Sequence, residues 1–235
     1  MQVNLSIEKQ QLLRFYGRRK GRPLRGRRQE ALAALSDYQI NLPAEGTFNP
    51  AALGPPFSVL CHLEIGFGGG EHLIANAAAQ PHIGFIGAEP FINGISSCIV
   101  GIQQYNLPNV RIHPADARPL LNALAPASID CIYILFADPW PKARHAERRF
   151  VSPENLARLA RVLKIGGTLK LATDDPGLQT WTEEQMAAQT FFIPAPGLYQ
   201  SRPDWPPTRY ESKAVTAGRH CKYYQYIRAE TVASS

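Results

Sequence analysis

The stretch from Ser58 to Ala79 constrains the fold most. Ser58 to Ile65 reads as a strand, Gly66, Phe67, Gly68, Gly69 and Gly70 as a glycine turn, and His72 to Ala79 as a helix. Glycines at such a turn let backbone approach a ligand closely, and the amino end of the following helix favours acceptors or negative groups. A dinucleotide fingerprint requires a third glycine at the sixth position of the turn, where this chain has Glu71. The dinucleotide reading fails at the residue that would pack helix on strand. Glu64, just before the turn, would repel a pyrophosphate but suits a ligand that bears an amine, which favours S-adenosylmethionine.

Further strands end in acids. Ile83 to Ala88 runs into Glu89, 23 residues after Gly66, where a carboxylate accepts from ribose hydroxyls; the alternative is a surface glutamate opening a helix from Phe91 to Gln104. Val110 to His113 is a third strand, and Asp116 after it either meets an adenine or caps a helix from Pro119 to Leu124. Ile132 to Phe136 lacks polar alternation, the pattern of a strand covered on both faces. Asp138 stands at its carboxyl end, where open α/β sheets bind ligands, and Pro139 and Pro141 stiffen the backbone around Asp138 and Trp140. Lys142, Arg144, Arg148 and Arg149 follow. An acid, a flat aromatic and four cations suit a nucleic-acid base with phosphates nearby. Taken singly, Asp138 fits a cap, Trp140 the core and the cations a solvated face.

Beyond this stretch, Pro153 to Leu163 is expected to be an amphipathic helix stopped by Lys164-Ile165-Gly166-Gly167, and Thr168 to Ala172 a strand ending at Asp174 and Asp175. A short helix (Gly177 to Ala188), a proline-rich loop (Ile193 to Pro207) and an edge strand (Tyr223 to Arg228) complete the pattern.

Of the 25 Lys and Arg, eight lie in residues 14–28 with no acid, which leaves 17 bases against 19 acids elsewhere. The basicity is therefore local, and Gly17, Gly21, Pro23 and Gly26 argue for a flexible or extended arm that clamps a polyanion, or else a solubility tail or membrane-surface patch. Phe15 and Tyr16 are candidates for stacking. The expected organisation is a basic arm over 1–28, a linker with a short helix (Glu30 to Leu35) over 29–57, and one domain over 58–235. The four cysteines form no C-x-x-C pair and the six histidines lack ligand spacing, so no metal is expected. Apolar runs are too short to span a bilayer, and the first residues lack a signal-peptide pattern, so the expected location is cytoplasmic.

LEIGFGGG, GAEPF, DARPL, FADPWPKARHAERRF, LATD and TRYE, in this order over residues 58–228, resemble the bacterial tRNA (guanine-N7)-methyltransferases of the TrmB family. The joined pattern DPWxKxRHxxRR, TD and T-x-[YF]-E is specific, whereas LEIGFG alone is common to methyltransferases. Ala137, in place of a proline found in some members, touches only loop shape. The resemblance implies a Rossmann-like class I S-adenosylmethionine-dependent methyltransferase with a mostly parallel seven-stranded sheet and an antiparallel strand. It implies methylation of N7 of guanine 46 in the tRNA variable loop by a monomer or homodimer. Carried over, Glu64, Gly66, Gly68, Glu89, Asp116 and Asp138 contact S-adenosylmethionine, and Asp138 is catalytic. Lys142, Asp174, Thr208, Arg209, Tyr210 and Glu211 line the guanine and tRNA side, and Arg144, His145, Arg148 and Arg149 touch RNA. Asp174 and Glu211 are expected to accept from guanine N1 and N2, while Trp140 stacks on the base or braces its loop. The competing readings are a small-molecule methyltransferase, which leaves the arginines idle, and a non-catalytic RNA-binding module.

Overall fold

The computed structural model describes residues 17–196 and 202–230; the stacking candidates Phe15 and Tyr16 lie outside them. Seven strands form one sheet in the order β3-β2-β1-β4-β5-β7-β6. They are β1 (Cys61–Ile65), β2 (Gly84–Ala88), β3 (Val110–His113), β4 (Ile129–Leu135), β5 (Leu163–Thr173), β6 (Phe192–Pro194) and β7 (Lys222–Arg228). The first five pair in parallel, and β7 runs antiparallel between β5 and β6. This is the mostly parallel, seven-stranded class I arrangement expected. Central β4 is buried along nearly its whole length, as a strand covered by helices on both faces must be.

The helices are α1 (Arg27–Ala33), α2 (Glu71–Ala79), α3 (Ile92–Tyr105), α4 (Ala117–Ala123), α5 (Pro153–Val162), α6 (Pro176–Ala187) and α7 (Arg209–Thr216). Their starts follow from local chemistry. Ser152 and Asp175 cap α5 and α6, each with proline at the first helical position, and Thr208 and Glu211 form a reciprocal capping box on α7.

Three expectations change. Gly166 and Gly167 do not stop a helix; α5 passes directly into β5, and the glycines form an outward excursion of that strand, where pairing advances from Leu163 to Thr168 while β4 advances only from Ile129 to Cys131. Gly166 at φ 79° supplies the turn. Second, β7 is an inner strand, because short β6 covers it and takes the edge. Third, the stretch expected to be a linker packs on the domain: Ala31 and Ile40 are buried, the Ile40 amide donates to Ile112 O at 2.8 Å and the Phe48 amide to Ala123 O at 2.7 Å.

Among the described residues no helix is long and apolar enough to cross a membrane, and no group of three His, Cys, Asp or Glu is placed to hold a metal ion.

Candidate active site

A cleft of about 480 Å³ opens at the carboxyl ends of β1, β2 and β4, where the chain order reverses across the sheet. Ile65, Gly66 and Gly68 form its floor, Glu89, Asp116 and Asp138 its acidic margin, and Arg18, Trp140, Arg148 and Tyr210 part of its rim.

Gly66, Gly68 and Gly70 all have positive φ (75°, 56° and 84°), a conformation costly for other residues. The turn is held to β2 by Glu89, whose Oε2 accepts from Gly68 N at 2.8 Å and Oε1 from Phe91 N at 2.9 Å. Glu89 is only 8% exposed. Burial raises its pKa, the two amide donors pull it back down, and the charges of Asp138 and Glu64 push it up further. Each carboxylate oxygen accepts one amide, leaving lone pairs beside the cleft for hydroxyl donors.

Asp116 takes the capping role and also faces the cleft. It lines the cleft, and its Oδ1 caps α4 by accepting from Arg118 N at 2.8 Å. Arg118 also forks onto the carboxylate at 2.8 and 2.7 Å.

Asp138 is exposed at the mouth. Its loop is strained: Phe136 and Trp140 have φ of 54° and 45°, unusual for bulky residues and costing about 1–3 kcal/mol each. Phe136 N still donates to Ala172 O at 2.7 Å, so the loop leaves the sheet from a fixed point. Trp140 lies edge-on to His145, with ring centroids 5.9 Å apart, and under the Arg148 guanidinium at 5.0 Å. These contacts hold Trp140 at the cleft rim. Lys142 and Arg144 are exposed on the same segment.

Other expected site residues are placed differently. Glu64 does not line the cleft; it is buried, and its Oε2 meets His72 Nδ1 at 2.7 Å, with His72 Nε2 against Asn76. Glu211 is 2% exposed, and its carboxylate accepts from Arg202 Nε at 2.5 Å, Tyr223 OH at 2.7 Å and Thr208 N at 3.3 Å. Those bonds fix the start of α7, the helix that carries Tyr210. Tyr210 is 58% exposed and approaches Gly68 from above: a Cβ there would lie 3.5 Å from its ring. Asp174 lies outside the cleft, paired with Arg219 Nε at 2.5 Å. Thr208 and Arg209 also lie outside it.

Two functional features escape sequence reasoning. The arm docks on α3, whose cap residue Phe91 has no side-chain acceptor: Arg19 O accepts from Ile92 N at 2.9 Å, Asn93 Oδ1 from Gly21 N at 2.7 Å, and Asn93 Nδ2 donates to Arg22 O at 2.7 Å. Arg18 thereby joins the cleft wall, while Arg19, Lys20, Arg22 and Arg25 remain exposed. The other feature is Gly94, where a Cβ would fall 2.1 Å from Gly68 O. Neither contact follows a helical or strand period, so no local pattern announces it.

Comparisons with known proteins give the family and the fold. A family model described as "Putative methyltransferase" matches residues 58–224. The tRNA (guanine-N(7)-)-methyltransferase of Rhodospirillum rubrum is 42% identical over 229 residues, covering 94% of this chain and 89% of the relative. That of Paracoccus denitrificans is 44% identical over 220 residues, covering 91% and 94%. The chain belongs to the tRNA (guanine-N7)-methyltransferase family. In the family's motif order, the cleft-lining acids Glu89, Asp116 and Asp138 come from three separate segments brought together by the parallel sheet. Among solved structures, the 16S rRNA (adenine(1408)-N(1))-methyltransferase from Catenulisporales acidiphilia matches with a TM-score of 0.53 at 14% identity, covering 80% of this chain and 95% of that one. The antibiotic-resistance methyltransferase Kmr gives 0.53 at 16% identity, covering 83% and 99%. At that identity the likeness shows the fold alone.

Proposed function

We propose that this chain transfers a methyl group from S-adenosylmethionine to N7 of guanine 46 in the variable loop of tRNA, giving 7-methylguanosine, and works in the cytoplasm where tRNA resides. The observation that carries the reading is the single cleft that joins a glycine turn, a buried ribose acceptor and an exposed aspartate to a cationic rim. Its donor set fits the cofactor: the turn lacks Cβ atoms at Gly66 and Gly68, and Glu89 offers lone pairs to a diol. Bound there, the cofactor supplies an electrophilic methyl on a positive sulfonium.

The chain's own residues need supply no strong base, because guanine N7 carries a free lone pair. Their first task is alignment, which contributes on the order of 7–11 kcal/mol to lowering a barrier when reactants are held in line. Glu89 and the turn fix one reactant, while Tyr210, above Gly68, and the Asp138 loop confine the other. The second task is electrostatic. Methylation makes the guanine imidazole ring positive, and the Asp138 carboxylate stabilises that developing charge. Arg18, Arg148 and the exposed arm cations hold phosphates. Because N7 faces the narrow major groove of A-form RNA, the target must be opened for access, and these cations bind the displaced backbone.

The test is transfer of labelled methyl to bulk unmodified tRNA, with nuclease digestion and nucleoside identification. A 7-methylguanosine product lost in Asp138→Ala supports the reading. Methylation of free guanosine at a comparable rate points to a small-molecule enzyme, and tRNA binding without any product points to a non-catalytic module.

A further inference from the structure

The strained loop that carries Asp138 needs something to hold it, and its prolines are insufficient: Pro139 and Pro141 restrict their own φ but leave Phe136 and Trp140 in left-handed conformations. Such turns leave backbone carbonyls without strand partners. Arg149 takes two of them, donating from Nε to Pro139 O at 3.0 Å and from Nη2 to Trp140 O at 3.4 Å. Its guanidinium also lies 5.0 Å from the centre of the Trp181 ring on α6.

The support continues beyond the arginine. Trp181 Nε1 donates to Val151 O at 2.6 Å, and Asn155 Nδ2 on α5 donates to Phe150 O at 2.8 Å. The two residues after Arg149 are thus fastened to two helices, and Arg149 reaches back from a fixed base to the loop.

We propose that Arg149 is a positioning residue: it links α6 to the Asp138 loop and sets the carboxylate's place, and it does not contact tRNA. This goes beyond the RNA-contact role that the family resemblance implies for the basic cluster, and it rests on the methyl-transfer reading above. Arg148 and Arg149, adjacent in sequence, thereby divide their work. Both line the cleft, but Arg148 covers the Trp140 ring, whereas Arg149 spends its fork on backbone carbonyls, a geometry that an ammonium does not reproduce.

Arg149→Lys keeps the charge and loses the fork; Arg149→Gln loses the charge. Both are compared with wild type for kcat, for KM toward tRNA, and for the salt slope of tRNA binding with S-adenosylhomocysteine present. The expected result is a kcat lower by about 10- to 100-fold in Arg149→Lys, the scale of a small misplacement, with KM unchanged and the slope of Arg149→Gln equal to wild type. A slope flattened by about 0.7–0.9 in Arg149→Gln with a raised KM makes it a phosphate contact and overturns the proposal. An unchanged kcat in Arg149→Lys overturns it as well. If the Arg149 variants do not fold, Trp181→Phe, which loses the Val151 bond, carries the test: lower kcat with the wild-type slope supports the linkage, and wild-type kcat overturns it. Absence of 7-methylguanosine from the wild-type reaction contradicts the underlying reading instead, so the two failures are distinct.

Discussion

Replacing Gly94 with alanine adds one methyl group at the point where α3 passes behind the glycine turn. The new carbon falls 2.1 Å from Gly68 O and 2.9 Å from Gly68 C, whereas close carbon–oxygen contacts lie at about 3.3 Å, so one partner must move by about 1 Å. The helix is the harder one to move: Ile95, Cys98 and Ile99 are buried within one core cluster, and Ile92 is tied to Arg19. The turn therefore shifts, and a 2.8 Å bond from Gly68 N to Glu89 stretched by that amount is lost. A hydrogen bond to a charged group contributes about 1.5–3 kcal/mol, which corresponds to about 10- to 150-fold in cofactor affinity if the turn loses its bound geometry. Folding stability falls too: overpacking costs about 1–3 kcal/mol and alanine returns about 1 kcal/mol over glycine in a helix interior, a net loss of up to about 2 kcal/mol before the lost bond is counted. Calorimetric titration with S-adenosylhomocysteine, beside a thermal melt, separates the two effects. An affinity within about twofold of wild type would refute the argument that Gly94 exists to let the turn approach.

Three other substitutions test the remaining parts of the site. Asp138→Asn is expected to keep tRNA and cofactor affinity and lower kcat by about 10²- to 10³-fold; retained turnover in single-turnover assays would remove its electrostatic role. Glu89→Gln should weaken cofactor binding and lower thermal stability as well, since a carboxamide has one acceptor oxygen for the two amides that the carboxylate holds. The sign for pH follows: the ionised carboxylate accepts from ribose hydroxyls, its pKa is raised, and so wild-type affinity should decline as pH falls through a range above that of an ordinary glutamate. A titration of cofactor Kd against pH that is flat in wild type, or identical in the Gln variant, would contradict this. Asn93→Ala removes two of the bonds that hold the arm on α3 and should weaken tRNA binding by at least about 2- to 10-fold in filter binding, the scale of one net hydrogen bond, whereas unchanged affinity would mean that the Asn93 clasp contributes nothing.

Much of the frame was legible because it depends on local chemistry. The apolar run Ile132 to Phe136, the positive-φ glycines after β1 and the acids at strand ends identify both the sheet and the edge where ligands bind, and Glu89, Asp116 and Asp138 meet there. The basic character of the arm was equally plain, but its docking was not, since it depends on the Ile92 amide and the Asn93 side chain of a helix about 70 residues away in sequence. Sequence proximity misled in the same way elsewhere. Glu64 and Glu211 sit in motifs beside the cleft, yet their carboxylates turn to His72 and to Arg202 and Tyr223, partners that no spacing rule supplies. Gly166-Gly167 has the composition of a helix stop, and only pairing with β4 shows that the chain is already in a strand. Residues whose role is set by their own backbone conformation were readable, and residues whose role is set by a distant partner were not.

The most direct test of the account changes one atom of the substrate. A tRNA carrying 7-deazaguanosine at the variable-loop guanine, with the N7 lone pair replaced by C–H, is compared with the same tRNA carrying it at another guanine. The account predicts that labelled methyl transfer disappears only in the first. Methylation that persists there, or that disappears with substitution at the other position, would contradict it.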